Sequence, residues 1–119
     1  MKLIDSLFTI HETQSTDDGF SVEMSPIIDS CIYKAHFPGF PITPGACLIR
    51  IVGELVEKNL GKDLTLTGLK NVKFLNVLIP SENMKVWVDV KVDSQLKVQA
   101  VVRDGSSVFT KMSLQYSSK

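Results

Sequence analysis

The sequence contains few of the residues from which metal sites and disulfide frameworks are built. Its 119 residues include two cysteines and two histidines. Cys31 and Cys47 lack the C-x-x-C spacing of a zinc or redox pair. His11 and His36 lie far apart in the chain. We therefore expect free thiols, no bound metal ion and a reducing, cytoplasmic location.

An excess of charge of either sign is also absent. The 13 lysines and arginines balance 13 aspartates and glutamates. A basic surface is typical of nucleic-acid binding, and long acidic runs are typical of disordered tails. The balanced charge favours a small-molecule or protein partner and argues against nucleic acid. No nucleotide-binding glycine loop follows a predicted strand, so we expect no nucleotide cofactor.

Long hydrophobic runs are missing as well. No segment approaches the roughly 18 apolar residues that a membrane span needs, and the start M-K-L-I-D-S-L-F is too short for a signal peptide. We expect no association with a membrane. The chain shows no repeat or linker, which predicts one domain over residues 1–119, near the size at which a partner subunit adds stability.

Alternating and β-branched residues predict an antiparallel sheet of five or six strands. The alternation is strictest in Met84 to Val92, where valines share one face. A helix is predicted from Gly45, with Gly61 placed to end it. This helix is apolar on most sides, so the sheet should curve around it. The predicted fold class is α+β, and the open sheet edges favour a dimer.

Three prolines precede this helix in the run His36-Phe37-Pro38-Gly39-Phe40-Pro41-Ile42-Thr43-Pro44-Gly45. Because proline fixes φ and restricts the residue before it, the run predicts a stiff loop that could present His36 to a substrate. The first helical turn leaves amide N–H groups without partners and carries partial positive charge. A carbonyl or an anion is therefore favoured near Gly45 and Ala46.

This run resembles the H-F-P-G-x-P-x-x-P-G motif of the hotdog-fold (3R)-hydroxyacyl-[acyl-carrier-protein] dehydratases. Phe74, Val77 and Pro80 also resemble a stretch that this family carries after its third strand. The likeness extends from about residue 7 to the C-terminus. It implies a hotdog fold, in which one curved antiparallel sheet wraps a long central helix.

The resemblance also implies a chemistry. His36 matches the family's base, which removes a proton from the α-carbon of a 3-hydroxyacyl thioester. Gly45 and Ala46 match the amides that polarise the thioester carbonyl. The substrate would be carried on the phosphopantetheine of acyl carrier protein or on coenzyme A, as in fatty acid or polyketide-type biosynthesis, without a separate cofactor.

One position departs from the family pattern. The family's helix carboxylate, which protonates the leaving hydroxyl, is replaced by Arg50, and a guanidinium is no general acid at physiological pH. Glu54, one turn further on, is either a relocated acid or the i,i+4 ion-pair partner of Arg50. Phe37 and Phe40 either line an acyl tunnel or pack against neighbouring side chains of the protein. Arg50 is a further candidate for contact with the substrate.

Three hypotheses for the function follow. The first is an active hydro-lyase with His36 as base and Glu54 as acid. The second is a non-catalytic, thioester-binding subunit of a mixed dehydratase dimer. The third is a hotdog thioesterase, in which the Gly45 and Ala46 amides stabilise an oxyanion. The expected partners are acyl carrier protein or acyl-CoA, and a second hotdog subunit in a homodimer, a mixed dimer or a higher oligomer.

Overall fold

The structure, a computed structural model, describes residues 2–35 and 42–119. Its helices and strands follow one another along the chain as α1 (Leu3–Leu7), β1 (Phe8–Ser15), β2 (Gly19–Pro26), α2 (Cys31–Ala35), α3 (Gly45–Leu60), β3 (Leu64–Phe74), β4 (Val86–Val92), β5 (Lys97–Arg103) and β6 (Val108–Ser118).

The six strands form one antiparallel sheet in the order β1-β2-β4-β5-β6-β3. The alternation predicted for β4 is confirmed, since Val86, Val88 and Val90 are buried while Trp87 and Asp89 are partly exposed. The guanidinium of Arg103 lies 5.2 Å from the centre of the Trp87 ring. Trp87 thus has a cation as neighbour on the outer face of the sheet.

Helix α3 packs on the inner face of this sheet. Pro44 precedes it with extended geometry (φ −61°, ψ 141°). The helix ends at Gly61, whose φ of 67° lies in the left-handed region and whose N–H donates to the Glu57 carbonyl. This end is the one that the sequence predicts. The residues that the helix buries are Leu48, Ile51, Val52, Glu54, Leu55 and Val56.

Two short helices and one strand boundary were not predicted. Helix α1 occupies the start of the chain, and α2 lies in a segment whose sequence pattern indicates no single structure. The β-rich run that continues to Ile79 leaves the sheet after Phe74. The regular ladder with β6 ends there, because the Leu75 and Asn76 N–H groups both donate to one β6 carbonyl, that of Phe109.

Both cysteines are free thiols, as predicted. Across the two described segments, no helix has the length and apolar character needed to cross a bilayer.

Candidate active site

A crevice of about 350 Å³ opens beside the first turn of α3. Three pieces of chain form its walls: the segment that enters the helix, the segment that follows β3, and the start of β6. Its lining is mostly apolar and comprises Ile42, Thr43, Pro44, Gly45, Ala46, Leu48, Phe74, Leu75, Asn76, Val77, Leu78 and Thr110. Its size and character are those of a small-molecule site.

Hydrogen bonds of the backbone and of one side chain join the walls of the crevice. The Thr43 N–H donates to the Leu78 carbonyl at 2.8 Å, which joins the segment before α3 to the segment after β3. The side-chain amide of Asn76 donates to the Val108 carbonyl at 2.7 Å. Together with the Leu75 and Asn76 N–H bonds to Phe109, these contacts fix the crevice between rigid elements.

A β-bulge shapes the wall contributed by β6. Val102 pairs with Thr110, but Arg103 pairs with Val108, so Phe109 is an extra residue in β6. A bulge of this kind changes the direction in which neighbouring side chains point. Here Phe109 and Thr110 are both buried although they are adjacent. Thr110 lies in phase with the buried residues Met112 and Leu114, and it lines the crevice.

The first turn of α3 presents backbone donors at this place. The Cys47 and Leu48 N–H groups donate to the Pro44 carbonyl, at 3.0 and 3.3 Å. Within residues 2–35 and 42–119, the Gly45 and Ala46 N–H groups have no hydrogen-bond partner. Pro44, as N-cap, has no side-chain acceptor to offer. The arrangement can therefore accept a carbonyl oxygen.

Phe74 shapes the approach to these amides. A Cβ atom at Gly45 would overlap the Phe74 ring, so only glycine fits beneath the ring in this position. Phe74 is itself 58% exposed, and Ala46 is exposed. The ring shields one side of Gly45 while the other side of the first turn stays open to solvent.

Tyr33 supports the entry to α3 from behind. Its hydroxyl lies 2.8 Å from the Thr43 hydroxyl, and its side chain is 1% exposed. Burial raises the pKa of Tyr33 to about 12, more than the Thr43 hydrogen bond lowers it. Tyr33 is therefore neutral at physiological pH and acts here as a brace.

Arg50 and Glu54 lie on another side of α3. The ion pair that their spacing predicts is confirmed, with Arg50 Nε 3.4 Å from Glu54 Oε2. The Leu3 and Ile4 N–H groups also donate to the Glu54 carboxylate, at 2.9 and 2.8 Å. Both Glu54 oxygens are thus engaged at the start of α1, and neither residue lines the crevice.

Cys47, which lies next to the crevice, is expected to be a poor nucleophile. Cys47 is partly buried, and burial raises the pKa of its thiol although the nearby Arg50 opposes this effect. The thiolate, which is the nucleophilic form, is therefore scarce near neutral pH.

Three of the predicted site residues, His36, Phe37 and Phe40, lie outside the described residues. Of the others, the structure brings Gly45 and Ala46 together in the crevice and places Arg50 and Glu54 elsewhere. The sequence analysis missed Thr110. The alternation of β6 places Thr110 on the inner face with Met112 and Leu114, but its place in the crevice depends on walls that come from distant parts of the chain.

An antiparallel sheet wrapped on a central helix, with a crevice at the start of that helix, defines the hotdog class. The fold agrees with that of a solved structure, the dehydratase heterocomplex ApeI:P from Xenorhabdus doucetiae, at a TM-score of 0.81. The sequence identity is 14%, and the likeness covers 92% of this chain and 96% of the other. The predicted fold class is confirmed.

The particular family follows from the sequence. The family profile of the ApeI-like proteins, described as ApeI dehydratase, matches residues 12–112, and the chain belongs to that family. It is also similar to 3-hydroxyacyl-[acyl-carrier-protein] dehydratases FabZ. The protein from Clostridium acetobutylicum is 30% identical over 66 residues, which are 50% of this chain and 47% of that protein.

The FabZ of Lactiplantibacillus plantarum is likewise 30% identical, over 94 residues that cover 70% of this chain and 64% of the relative. This chain therefore spans about half to two thirds of the length of these curated relatives. In the part of the chain that the structure describes, no group of three or more His, Cys, Asp or Glu residues could hold a metal ion.

Proposed function

We propose that this protein binds 3-hydroxyacyl thioesters in the crevice at the start of α3 and removes water from them. The observation that carries the proposal is the pair of amides of Gly45 and Ala46, which have no hydrogen-bond partner among the described residues and lie at the edge of an apolar crevice of about 350 Å³. An apolar chain fits the lining, and a thioester carbonyl fits the donors.

The proposed reaction starts with the thioester carbonyl held by the Gly45 and Ala46 amides. These donors stabilise the negative charge that grows on the carbonyl oxygen when the α-carbon loses its proton. His36 takes that proton. The electron pair then forms the carbon–carbon double bond and the carbon–oxygen bond to the 3-hydroxyl breaks. The protonated His36 gives its proton to the departing hydroxyl, which leaves as water, and His36 returns to its neutral form. The products are an enoyl thioester and water.

The test is an assay of purified protein with 3-hydroxyoctanoyl thioesters of acyl carrier protein and of pantetheine. The expected result is formation of the enoyl thioester, which His36→Ala lowers by about 10²- to 10⁴-fold. His11→Ala is the matched control. His11 lies on β1, with its ring 2.7 Å from the Ser25 hydroxyl and far along the sheet from β6. Unchanged turnover in His36→Ala, or release of free thiol without enoyl product, contradicts the proposal.

A second candidate function is that of a thioester-binding subunit that does not catalyse the reaction alone. Two points favour it: the motif resemblance places Arg50 where the dehydratase family has its helix carboxylate, and Glu54 accepts hydrogen bonds from the α1 amides and pairs with Arg50. The solved structural relative is described as a heterocomplex. In this candidate, a homologous hotdog subunit supplies the missing acid to a mixed dimer.

The active dehydratase and the non-catalytic subunit are distinguished by the change that raises dehydratase activity. Arg50→Glu returns a carboxylate to the family's position, and we expect it to raise turnover if the rest of the site is catalytic. A protein that is inactive alone but active when mixed with a homologous subunit supports the second candidate. A comparison of the turnover of acyl carrier protein thioesters with that of coenzyme A thioesters, in the same assay, shows which carrier the protein recognises.

A further inference from the structure

The side chain of Thr110 stands out among the polar groups of the crevice. The residue is 1% exposed, lies on the inner face of β6 and contributes to the crevice lining. No described residue forms a hydrogen bond with its Oγ1 atom, which is itself buried. A buried hydroxyl without a partner is rare in folded proteins, because the group loses its hydrogen bonds to water and gains none in return.

The other polar side chains of the lining do not share this property. The Thr43 hydroxyl is paired with Tyr33 at 2.8 Å, and the Asn76 amide donates to the Val108 carbonyl at 2.7 Å. Both side chains hold the walls of the crevice together. Among the described polar side chains of the lining, Thr110 is therefore the one whose hydroxyl is buried without a hydrogen-bond partner.

The surroundings of Thr110 restrict the chemistry of that ligand. Most of the lining is apolar, and the charged side chains Arg50 and Glu54 lie outside it. A fully hydrated ion would lose its water there without a compensating charge. A ligand with an apolar chain and one neutral oxygen fits instead, because the oxygen meets the hydroxyl and the chain meets the walls.

We infer that Thr110 recognises an oxygen on the acyl chain and gives the crevice a preference for 3-hydroxyacyl groups over saturated acyl groups. The inference rests on the proposed function, since it places the acyl group in the same crevice. The Thr110 hydroxyl and the substrate's 3-hydroxyl form a hydrogen bond, and a saturated acyl group leaves Thr110 unpaired. Thr110 is thus a specificity-determining residue, separate from His36 and the amides.

The test measures binding of two probes to the intact protein by calorimetry. The probes are 3-hydroxyoctanoyl- and octanoyl-pantetheine in which an amide replaces the thioester, so that no elimination takes place. The wild type should bind the hydroxylated probe about two- to tenfold more tightly, the effect of one hydrogen bond. Thr110→Val should abolish this preference, and Thr110→Ser, which keeps the hydroxyl, should retain it.

Ser21→Ala provides a control outside the crevice, since it removes a β2 hydroxyl that is already paired with Asp89 at 2.7 Å. It should lower stability and leave the preference for the hydroxylated probe in place. A preference that survives in Thr110→Val, or a wild type that shows none or binds neither probe, overturns the inference. A large loss of stability in Thr110→Val with an unchanged preference does so too, because it identifies a buried water as the partner.

A second readout needs no substitution at Thr110. The NMR signal of the Thr110 methyl group in the wild type should shift more with the hydroxylated probe than with the saturated one. Equal shifts contradict the inference. Failure of the proposed function looks different: if the protein forms no enoyl product but retains the Thr110-dependent preference, catalysis is wrong and recognition stands. If the protein forms the enoyl product but the preference does not depend on Thr110, the proposed function stands and the inference about Thr110 is wrong.

Discussion

Glu54 is a buried charge whose partners come from two directions. Glu54 is 8% exposed. Its carboxylate pairs with Arg50, which lies one turn earlier in α3, and accepts hydrogen bonds from the Leu3 and Ile4 N–H groups of α1. The amides at the start of a helix favour negative charge. Arg50 is largely exposed, so its ion pair with Glu54 contributes less than the two backbone bonds.

Replacement of Glu54 by glutamine should therefore reduce stability. Glutamine keeps one acceptor but turns an NH2 group towards one of the two α1 amides, which leaves that amide unpaired. We expect the free energy of unfolding to fall by about 1–3 kcal/mol. Urea unfolding followed by tryptophan fluorescence measures the change, with the exposed Glu82→Gln as control. A variant that stays as stable as the wild type but loses turnover would show that Glu54 acts as the acid.

The only two tyrosines of the sequence, Tyr33 and Tyr116, give a pH-dependent signal. The pKa of each is raised to about 12, by burial in both cases and, for Tyr116, with a smaller contribution from the charge of Glu57. The unfolded chain releases these protons near pH 10. Because the folded state holds them to higher pH, their contribution to stability is complete below about pH 10 and is lost between about pH 10 and 12.

The expected outcome is a tyrosinate absorbance titration near pH 12 in the folded protein, and near pH 10 in concentrated denaturant. The free energy of unfolding should decline over the same interval. Titration of both phenols near pH 10 with the circular dichroism of the fold intact would contradict their burial.

At the scale of elements, the packing of α3 on β6 depends on Gly53. A Cβ atom at this position would lie 2.9 Å from the Tyr116 hydroxyl oxygen. Alanine favours a helix by about 1 kcal/mol over glycine. The close contact opposes that gain. The sequence predicts such an approach, since a glycine inside a helix is otherwise unfavourable.

A double-mutant cycle separates the two effects. Gly53→Ala alone should leave stability unchanged or lower it, whereas Gly53→Ala in a Tyr116→Phe background should raise it by about 0.5–1 kcal/mol. Thermal unfolding of the four proteins measures the coupling. Equal effects of Gly53→Ala in both backgrounds would show that the phenol oxygen does not restrict position 53.

The elements that the sequence predicts well are those whose signals are local. The valine alternation of β4 and the glycine that ends α3 need only nearby residues to be recognised. Helix α1 is different, because its amides bind Glu54 some fifty residues away. The burial of Thr110 follows the alternation of β6, but its place in the crevice depends on walls contributed by the start of α3 and the segment after β3. Contacts between residues this far apart in the chain produce no periodic pattern in the sequence.

At the scale of the whole molecule, the two edges of the sheet differ in character. The edge strand β1 ends in the polar run Glu12 to Ser15. The opposite edge, β3 with the segment after it, exposes an apolar surface whose members are Leu66, Leu69, Phe74, Leu75, Val77 and Ile79. Several exposed apolar side chains beside an unpaired strand edge are typical of a protein interface.

We expect two copies of the chain to associate through β3. Leu69, which is 56% exposed at this edge, should lose most of its exposure on pairing. Leu69→Lys should therefore weaken self-association about tenfold or more, because a charge would be buried without a partner. Thr13→Lys on β1 is the matched control at the polar edge, and it should leave association unchanged.

Sedimentation equilibrium of the three proteins measures the association, and thermal unfolding confirms that each is folded. A wild type that remains monomeric at high concentration, or a Thr13→Lys variant that dissociates as readily as Leu69→Lys, contradicts pairing through β3. The outcome also bears on the site, because Phe74 belongs to both the apolar surface and the crevice. A partner that covers β3 would then limit how far the Phe74 ring can move from Gly45, and would couple assembly to access to the α3 amides.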